Sequence, residues 1–170
     1  MRQADGREAQ TSFGIVDAQS VKNTESAQQK GYDAGKKVSG IKRHILVDSN
    51  GLPHAIAVTT ADVTDRQGAL DMFAASGQAL GSVQAILVDG GYTGEKFASA
   101  VAELLGATVE VAKRNELHRF VVIPKRWVVE RCFAWLEKCR RLWKNCERTL
   151  VSSHQFVVLA FLQLLLRRKK

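Results

Sequence analysis

A chain of 170 residues, 45% hydrophobic and 25% charged, is long enough for one domain with a real core and shows no excess of disorder-promoting composition. Its 25 Lys and Arg against 17 Asp and Glu give a formal net charge of +8, which favours a polyanion or an anionic membrane as partner. The most apolar stretch, FVVLAFLQLLL at 156–166, is interrupted by Gln163 and falls short of the roughly 20 residues that a spanning helix needs, so no membrane partner is expected.

Residues 1–12 form a short polar tail without the apolar h-region of a secretion signal, and a cytoplasmic location is the default expectation. FGIVD at 13–17 reads as a strand ending in Asp17. Residues 22–40 lack apolar periodicity and read as a long loop. KRHILVDSNGLPHAIAVTT at 42–60 holds two β-rich runs around Asn50 and Gly51, the pair suited to a tight hairpin. Residues 67–80 follow as an amphipathic helix through Leu70, Phe73, Ala74 and Leu80, with Asp65 as its expected cap.

In ILVDGGYTG, 86–94, an apolar run meets Asp89 and two glycines, so a buried strand ends in a carboxylate at a turn. A helix over 95–105 closes on Gly106, and ATVEVAK at 107–113 alternates as a further strand. Val129, Cys132, Phe133, Leu136, Cys139 and Trp143 fall at helical spacing over 126–143, and an apolar helix ends the chain in a basic tail. This order predicts a single α/β domain over 13–170, a mixed sheet with an antiparallel hairpin and flanking helices.

Cys132, Cys139 and Cys146 recur every seven residues, which on a helix separates neighbours by ~10 Å, too far for a shared metal or a disulfide. His44, His54, His118 and His154 have no ligand partner at useful spacing. Trp127 and Trp135 read as packing residues. The acids are more informative. If the strands ending in Asp17 and Asp89 are parallel neighbours, both side chains emerge at one sheet edge, where sites in mixed α/β sheets collect. Glu130 is a third candidate, with Arg126 one turn before it on the same side of its helix. Alone, Asp89 is equally a turn residue and Glu130 a solvated helix acid. Among the rivals, Asp48 fits the hairpin turn and Asp65 a cap; Asp62 also remains. Three carboxylates without clustered His or Cys suit Mg²⁺ or Mn²⁺, and two such ions can drive phosphodiester chemistry. The basic residues Lys36, Lys37, Lys42, Arg43, Lys113, Arg114 and Arg126 cluster along the chain near these acids and are candidate phosphate contacts.

Four blocks, GIVDAQSVK, GKKVSGIKRHILVDSNGLPHAIAVTTADVTDRQGA, LVDGGYTG and RWVVERCFAWLEKCRRL, resemble in their order the catalytic domain of bacterial insertion-sequence transposases of the DDE type, insertion-sequence family five in the family-four/five superfamily. The resemblance runs from residue 13 to the end and implies a ribonuclease-H-like fold. It also implies a metal triad of Asp17, Asp89 and Glu130 holding two Mg²⁺ or Mn²⁺ ions, and DNA as partner, both terminal inverted repeats and target, in the bacterial nucleoid. A homo-oligomer on DNA is expected. Arg126 matches the arginine of the family's Tyr-Arg-Glu-Lys signature, while the tyrosine position holds Ile123 and the lysine position Glu137. Lys138, Arg140 and Arg141 are candidates for the missing phosphate contact. Only about a dozen polar residues precede Asp17, where family members usually carry a repeat-recognising region, so dependence on a segment from an upstream frame is expected. The implied activity is strand cleavage at transposon ends followed by strand transfer. A plain metal-dependent nuclease and a catalytically silent, truncated DNA-binding remnant stay open as alternatives.

Overall fold

Strand β1 (Phe13–Lys22) divides the molecule into two layers because its side chains alternate between two cores, Ile15 entering one and Val16 the other. The computed structural model describes residues 2–112 and 126–168. Around β1 lie β2 (Gly31–Asp33), β3 (Val38–Val47), β4 (Pro53–Thr60), β5 (Ala85–Val88) and β6 (Thr108–Val111), in the order β2-β3-β1-β5-β6. β4 pairs with Ile41 to Val47 of β3, on the edge that β2 continues beyond Gly40. β1 is antiparallel to β3 and parallel to β5, and β5 is parallel to β6. Helices α1 (Asp65–Ser76) and α2 (Glu95–Leu105) cover one face through Met72, Phe73, Phe97 and Val101. Helices α3 (Arg126–Glu137) and α4 (Leu150–Arg168) cover the other through Val129, Cys132, Leu136, Val157 and Phe161. The expected mixed sheet, hairpin and flanking helices are all present.

Several local features differ from the sequence expectation. β1 runs five residues past Asp17, and the stretch 22–40 holds β2 and the start of β3 instead of a continuous loop. Glycines build that pairing: a Cβ at Gly40 would stand 2.0 Å from the Val21 carbonyl oxygen, and one at Gly31 would stand 1.6 Å from Asp62 Oδ1. Such close approach leaves no hydrophobic period to read. The β3–β4 turn is organised by Asp48, whose Oδ1 accepts from the amides of Asn50 and Leu52 at 2.8 and 3.0 Å. Only Gly51 of the Asn-Gly pair takes a positive φ, +79°. Arg2 and Arg7 of the N-terminal tail both pair with the buried Asp48 carboxylate. Burial alone would raise its pKa, but His54, the two amides and Arg2 hold it well below the ordinary carboxylate range.

Thr64, not Asp65, caps α1, its hydroxyl accepting from the Gln67 amide at 3.2 Å. Helix α3 stops at Glu137, so Cys139 and Cys146 lie beyond it and the three free cysteines do not share one helix side. Helix α4 begins six residues before the apolar run and is long and apolar enough, by length and composition, to cross a membrane. Here one side of it packs on α3 and the sheet, while Val151, Leu159, Leu162 and Leu166 stay exposed.

Candidate active site

Parallel pairing of β1 with β5 sets Phe13 against Ala85 and Ile15 against Leu87. Two residues beyond the last of these pairs come Asp17 and Asp89, near enough for the Asp89 charge to act on Asp17. Asp17 is a mid-strand residue paired with Ile45 of β3, while Asp89 is the first residue after β5. The hydrogen-bonded ladder of β5 ends there because Asp89 turns the chain. Its Oδ1 accepts from the Gly91 amide at 2.8 Å and its carbonyl from the Tyr92 amide at 3.1 Å. The turn role and the site role of Asp89 coexist, since its second oxygen, Oδ2, faces Arg126 Nη2 at 3.4 Å.

Arg126 lies on α3, and its Nε is 3.6 Å from Glu130 Oε1 one turn on. One guanidinium thus stands between a carboxylate of the sheet edge and a carboxylate of the covering helix. Glu130 keeps 57% of its side chain exposed, against 29% for Asp89 and 23% for Arg126. The three acids differ in environment accordingly. Burial pushes the Asp17 carboxyl up to about 6. The Ala18 amide, bonded to Oδ1 at 2.8 Å, and Arg126 pull it down, Asp89 pushes it up again, and Lys36 lowers it.

Tyr92 was missed by reading the sequence, which stops at the glycines. Its ring is buried against Phe97, with centroids 5.5 Å apart, and its hydroxyl has no hydrogen-bond partner among the described residues. Burial first, then the negative charges of Asp17, Asp65 and Asp89, raise its pKa far above the ordinary phenol range. The only signal for it in the sequence is an aromatic three places after Asp89, on the apolar side of a short turn.

The expected phosphate contacts divide into three groups. Lys37 and Lys138 are exposed, and Lys36, 44% exposed, places Nζ 3.2 Å from the Ala18 carbonyl and 3.3 Å from Asp65 Oδ2. Arg141 is exposed but engaged, with Nη2 2.6 Å from Glu147 and its guanidinium 4.4 Å above the Phe156 ring. Lys42 and Arg43 are corrected as surface contacts. Lys42 is 4% exposed and its Nζ is held by Val63 O at 2.7 Å, Asp65 at 2.8 Å and Asp33 at 3.2 Å. Arg43 is 1% exposed and donates to Leu142 O at 2.8 Å, with burial lowering its pKa to about 10. Strand alternation sends these two neighbours to opposite faces, and helices cover both faces. Lys113 and Arg114 lie outside the described residues, as do Ile123 and His118.

Among the described residues no group of three His, Cys, Asp or Glu side chains stands close enough to hold a metal ion as placed. The donor chemistry of Asp17, Asp89 and Glu130 nevertheless suits a hard divalent cation, being all carboxylate oxygen. The guanidinium of Arg126 occupies the gap between two of the three.

Comparison with known proteins places this geometry in a family. The Transposase DDE domain family matches residues 8–166. A curated relative from Burkholderia cepacia, "Putative transposase for insertion sequence element IS402", is 35% identical over 116 residues, covering 64% of this chain and 54% of the relative. The fold is similar to that of a chain in the simian T-cell lymphotropic virus intasome, solved in complex with PP2A regulatory subunit B56 gamma. The TM-score is 0.57 at 15% identity, covering 89% of this chain and 47% of that one. This chain spans about half the length of each of these two proteins. The mixed sheet with helices on both faces is thereby a ribonuclease-H-like fold. With a match that runs over nearly its whole length, the chain belongs to the Transposase DDE domain family of insertion-sequence transposases.

Proposed function

We propose that this domain cleaves DNA strands at transposon ends and joins the freed ends to target DNA, in a reaction that depends on Mg²⁺ or Mn²⁺. The observation that supports the reading is that Asp17 of β1 and Asp89, just past the parallel neighbour β5, are near enough for their charges to interact, with Glu130 joined to Asp89 through Arg126. Asp17, Asp89 and Glu130 would hold two cations between them. When bound, such cations supply activation of a water or a sugar hydroxyl and neutralisation of the departing oxygen.

The remaining work belongs to the chain itself. Asp17 is held by the β1–β3 ladder and the Ala18 amide, and Asp89 by the Gly91 amide at the end of β5, so their oxygens are positioned before DNA arrives. Lys36, Lys37, Lys138 and Arg126 would contact the phosphodiester backbone and hold the scissile phosphate. Water would add to the phosphorus and release a 3′-hydroxyl, which then attacks a target phosphodiester in a second displacement. No bond to the protein forms. DNA carrying the element's terminal inverted repeats is the first partner, target DNA the second, with several copies of the chain assembled on them and an upstream segment assisting sequence recognition.

The test is cleavage and joining on a duplex bearing the element's terminal repeat, with Mg²⁺ or Mn²⁺, comparing the parent chain with D17N, D89N and E130Q. Loss of both steps in each variant, with retained DNA binding, is the expected result. Cleavage that survives all three substitutions overturns the reading. Cleavage without joining would make the domain a plain nuclease.

A further inference from the structure

We infer that Arg126 is a built-in stand-in for the divalent cation: it neutralises Asp89 and Glu130 while no metal is bound, and metal entry transfers it to a DNA phosphate. The inference rests on the proposal that these acids are metal ligands, and it adds how metal and DNA binding are coupled there.

The placement of Arg126 is unusual for a merely structural ion pair. Its guanidinium is less than a quarter exposed, and it faces the sheet edge and its own helix at once. Two acids from different elements face it, at 3.4 and 3.6 Å. Both distances exceed the ~2.7–2.9 Å of a tight charge-assisted hydrogen bond, so the guanidinium balances both carboxylates without a saturated bond to either. A loose pair involving the mostly exposed Glu130 contributes little binding energy and is readily given up.

The guanidinium is a fixed cation in proteins. It can leave only by moving. Its planar fork fits phosphate as well as carboxylate, so a DNA backbone is a suitable second partner. Metal entering this site displaces Arg126 and loses affinity by that amount. A phosphate that takes the displaced arginine restores it. By linkage, metal and DNA then strengthen each other's binding by the same factor.

The test reads Mn²⁺ affinity by electron paramagnetic resonance and calorimetry, with and without a short duplex, in the parent chain, R126Q, R126K and D89N. In the absence of DNA, R126Q should bind Mn²⁺ roughly 5-fold or more tightly than the parent, with R126K between them. Adding the duplex should tighten Mn²⁺ binding in the parent and leave R126Q nearly unchanged. Equal or weaker Mn²⁺ binding by R126Q overturns the inference. A second measurement needs no variant: the ¹⁵Nε resonance of Arg126 in the unmutated protein should move on saturation with Mg²⁺. A resonance that stays in place overturns the inference even if R126Q fails to fold. D89N separates the two levels. If D89N loses Mn²⁺ but R126Q gains none, only the arginine exchange fails; if D89N binds as the parent does, the metal-site reading fails with it.

Discussion

Gly68 of α1 lies against the imidazole of His44 on β3, so closely that a Cβ at position 68 would stand 2.1 Å from Cε1 of the ring. The ring has no room to retreat, being fully buried with Nε2 3.0 Å from the Thr59 hydroxyl. In a free helix, replacing glycine by alanine gains about 1 kcal/mol. The clash opposes that gain, and overpacking of a tight core costs about 1–3 kcal/mol or more. A contact of 2.1 Å puts the cost at the upper end, so G68A is expected to lose about 2 kcal/mol of stability net, measured by urea unfolding. A G68A chain as stable as its parent would mean that α1 can ride away from the sheet at no cost.

The same histidine gives the protein an acid sensitivity. Burial lowers the His44 pKa to about 4, against an ordinary 6.5. Below pH 6.5 the unfolded chain takes up this proton while the folded chain still refuses it. Stability from this residue is thus fully present above pH 6.5 and falls as the pH drops towards about 4, by on the order of 3 kcal/mol. Urea unfolding between pH 7.5 and 4.5 in the presence of a chelator should show this loss in the parent and a flatter profile in H44N. Parallel profiles would remove His44 as the cause.

Asp17 should act with the opposite sign. Its carboxyl is pushed up to about 6 by burial, with the charge of Asp89 adding to it, against 3.8 in an unperturbed aspartate. The folded state binds this proton more tightly than the unfolded one, so the contribution is fully present below pH 3.8 and is lost as the pH rises through about 6. D17N keeps an oxygen for the Ala18 amide but carries no charge. In a chelated sample at pH 7.5 it should be more stable than the parent, by about 1–3 kcal/mol, and the difference should fade towards pH 4. A gain of the same size at both pH values would show that the carboxyl is not perturbed.

How much of this was legible in the sequence depends on the kind of signal each residue leaves. Apolar periodicity located β1, β5 and the covering helices, and the turn after Val88 located Asp89, because these depend on local chemistry. Arg126 and Glu130 were readable as a pair one turn apart. The third partner, Asp89 Oδ2, is 37 residues away and is contributed by tertiary structure alone. β2 left no trace because its pairing depends on glycines at close approach, and Tyr92 left little because an unpartnered buried hydroxyl is a property of its surroundings. Lys42 and Arg43 were misread for a related reason. A basic pair in sequence looks like a charged surface until strand alternation sends one side chain under each layer of helices.

That misreading separates two classes of lysine in experiment. Lys42 is enclosed by Asp33, Asp65 and the Val63 carbonyl, so K42M leaves two carboxylates without their shared cation. Removing one partner of such a buried pair costs about 3 kcal/mol, and K42M should lose stability of that order, visible in urea unfolding. Any fall in its DNA affinity should then track the unfolded fraction. Lys37 and Lys138 are exposed, and their side chains make no hydrogen bond or ion pair among the described residues. K37A and K138A should unfold within about 0.5 kcal/mol of the parent. Each should still weaken DNA binding and reduce the slope of log affinity against log salt by roughly 1, as expected for one lost phosphate contact. A K42M chain that folds as well as its parent but binds DNA with a shallower salt slope would return Lys42 to the surface, and with it the view that the whole basic run faces DNA.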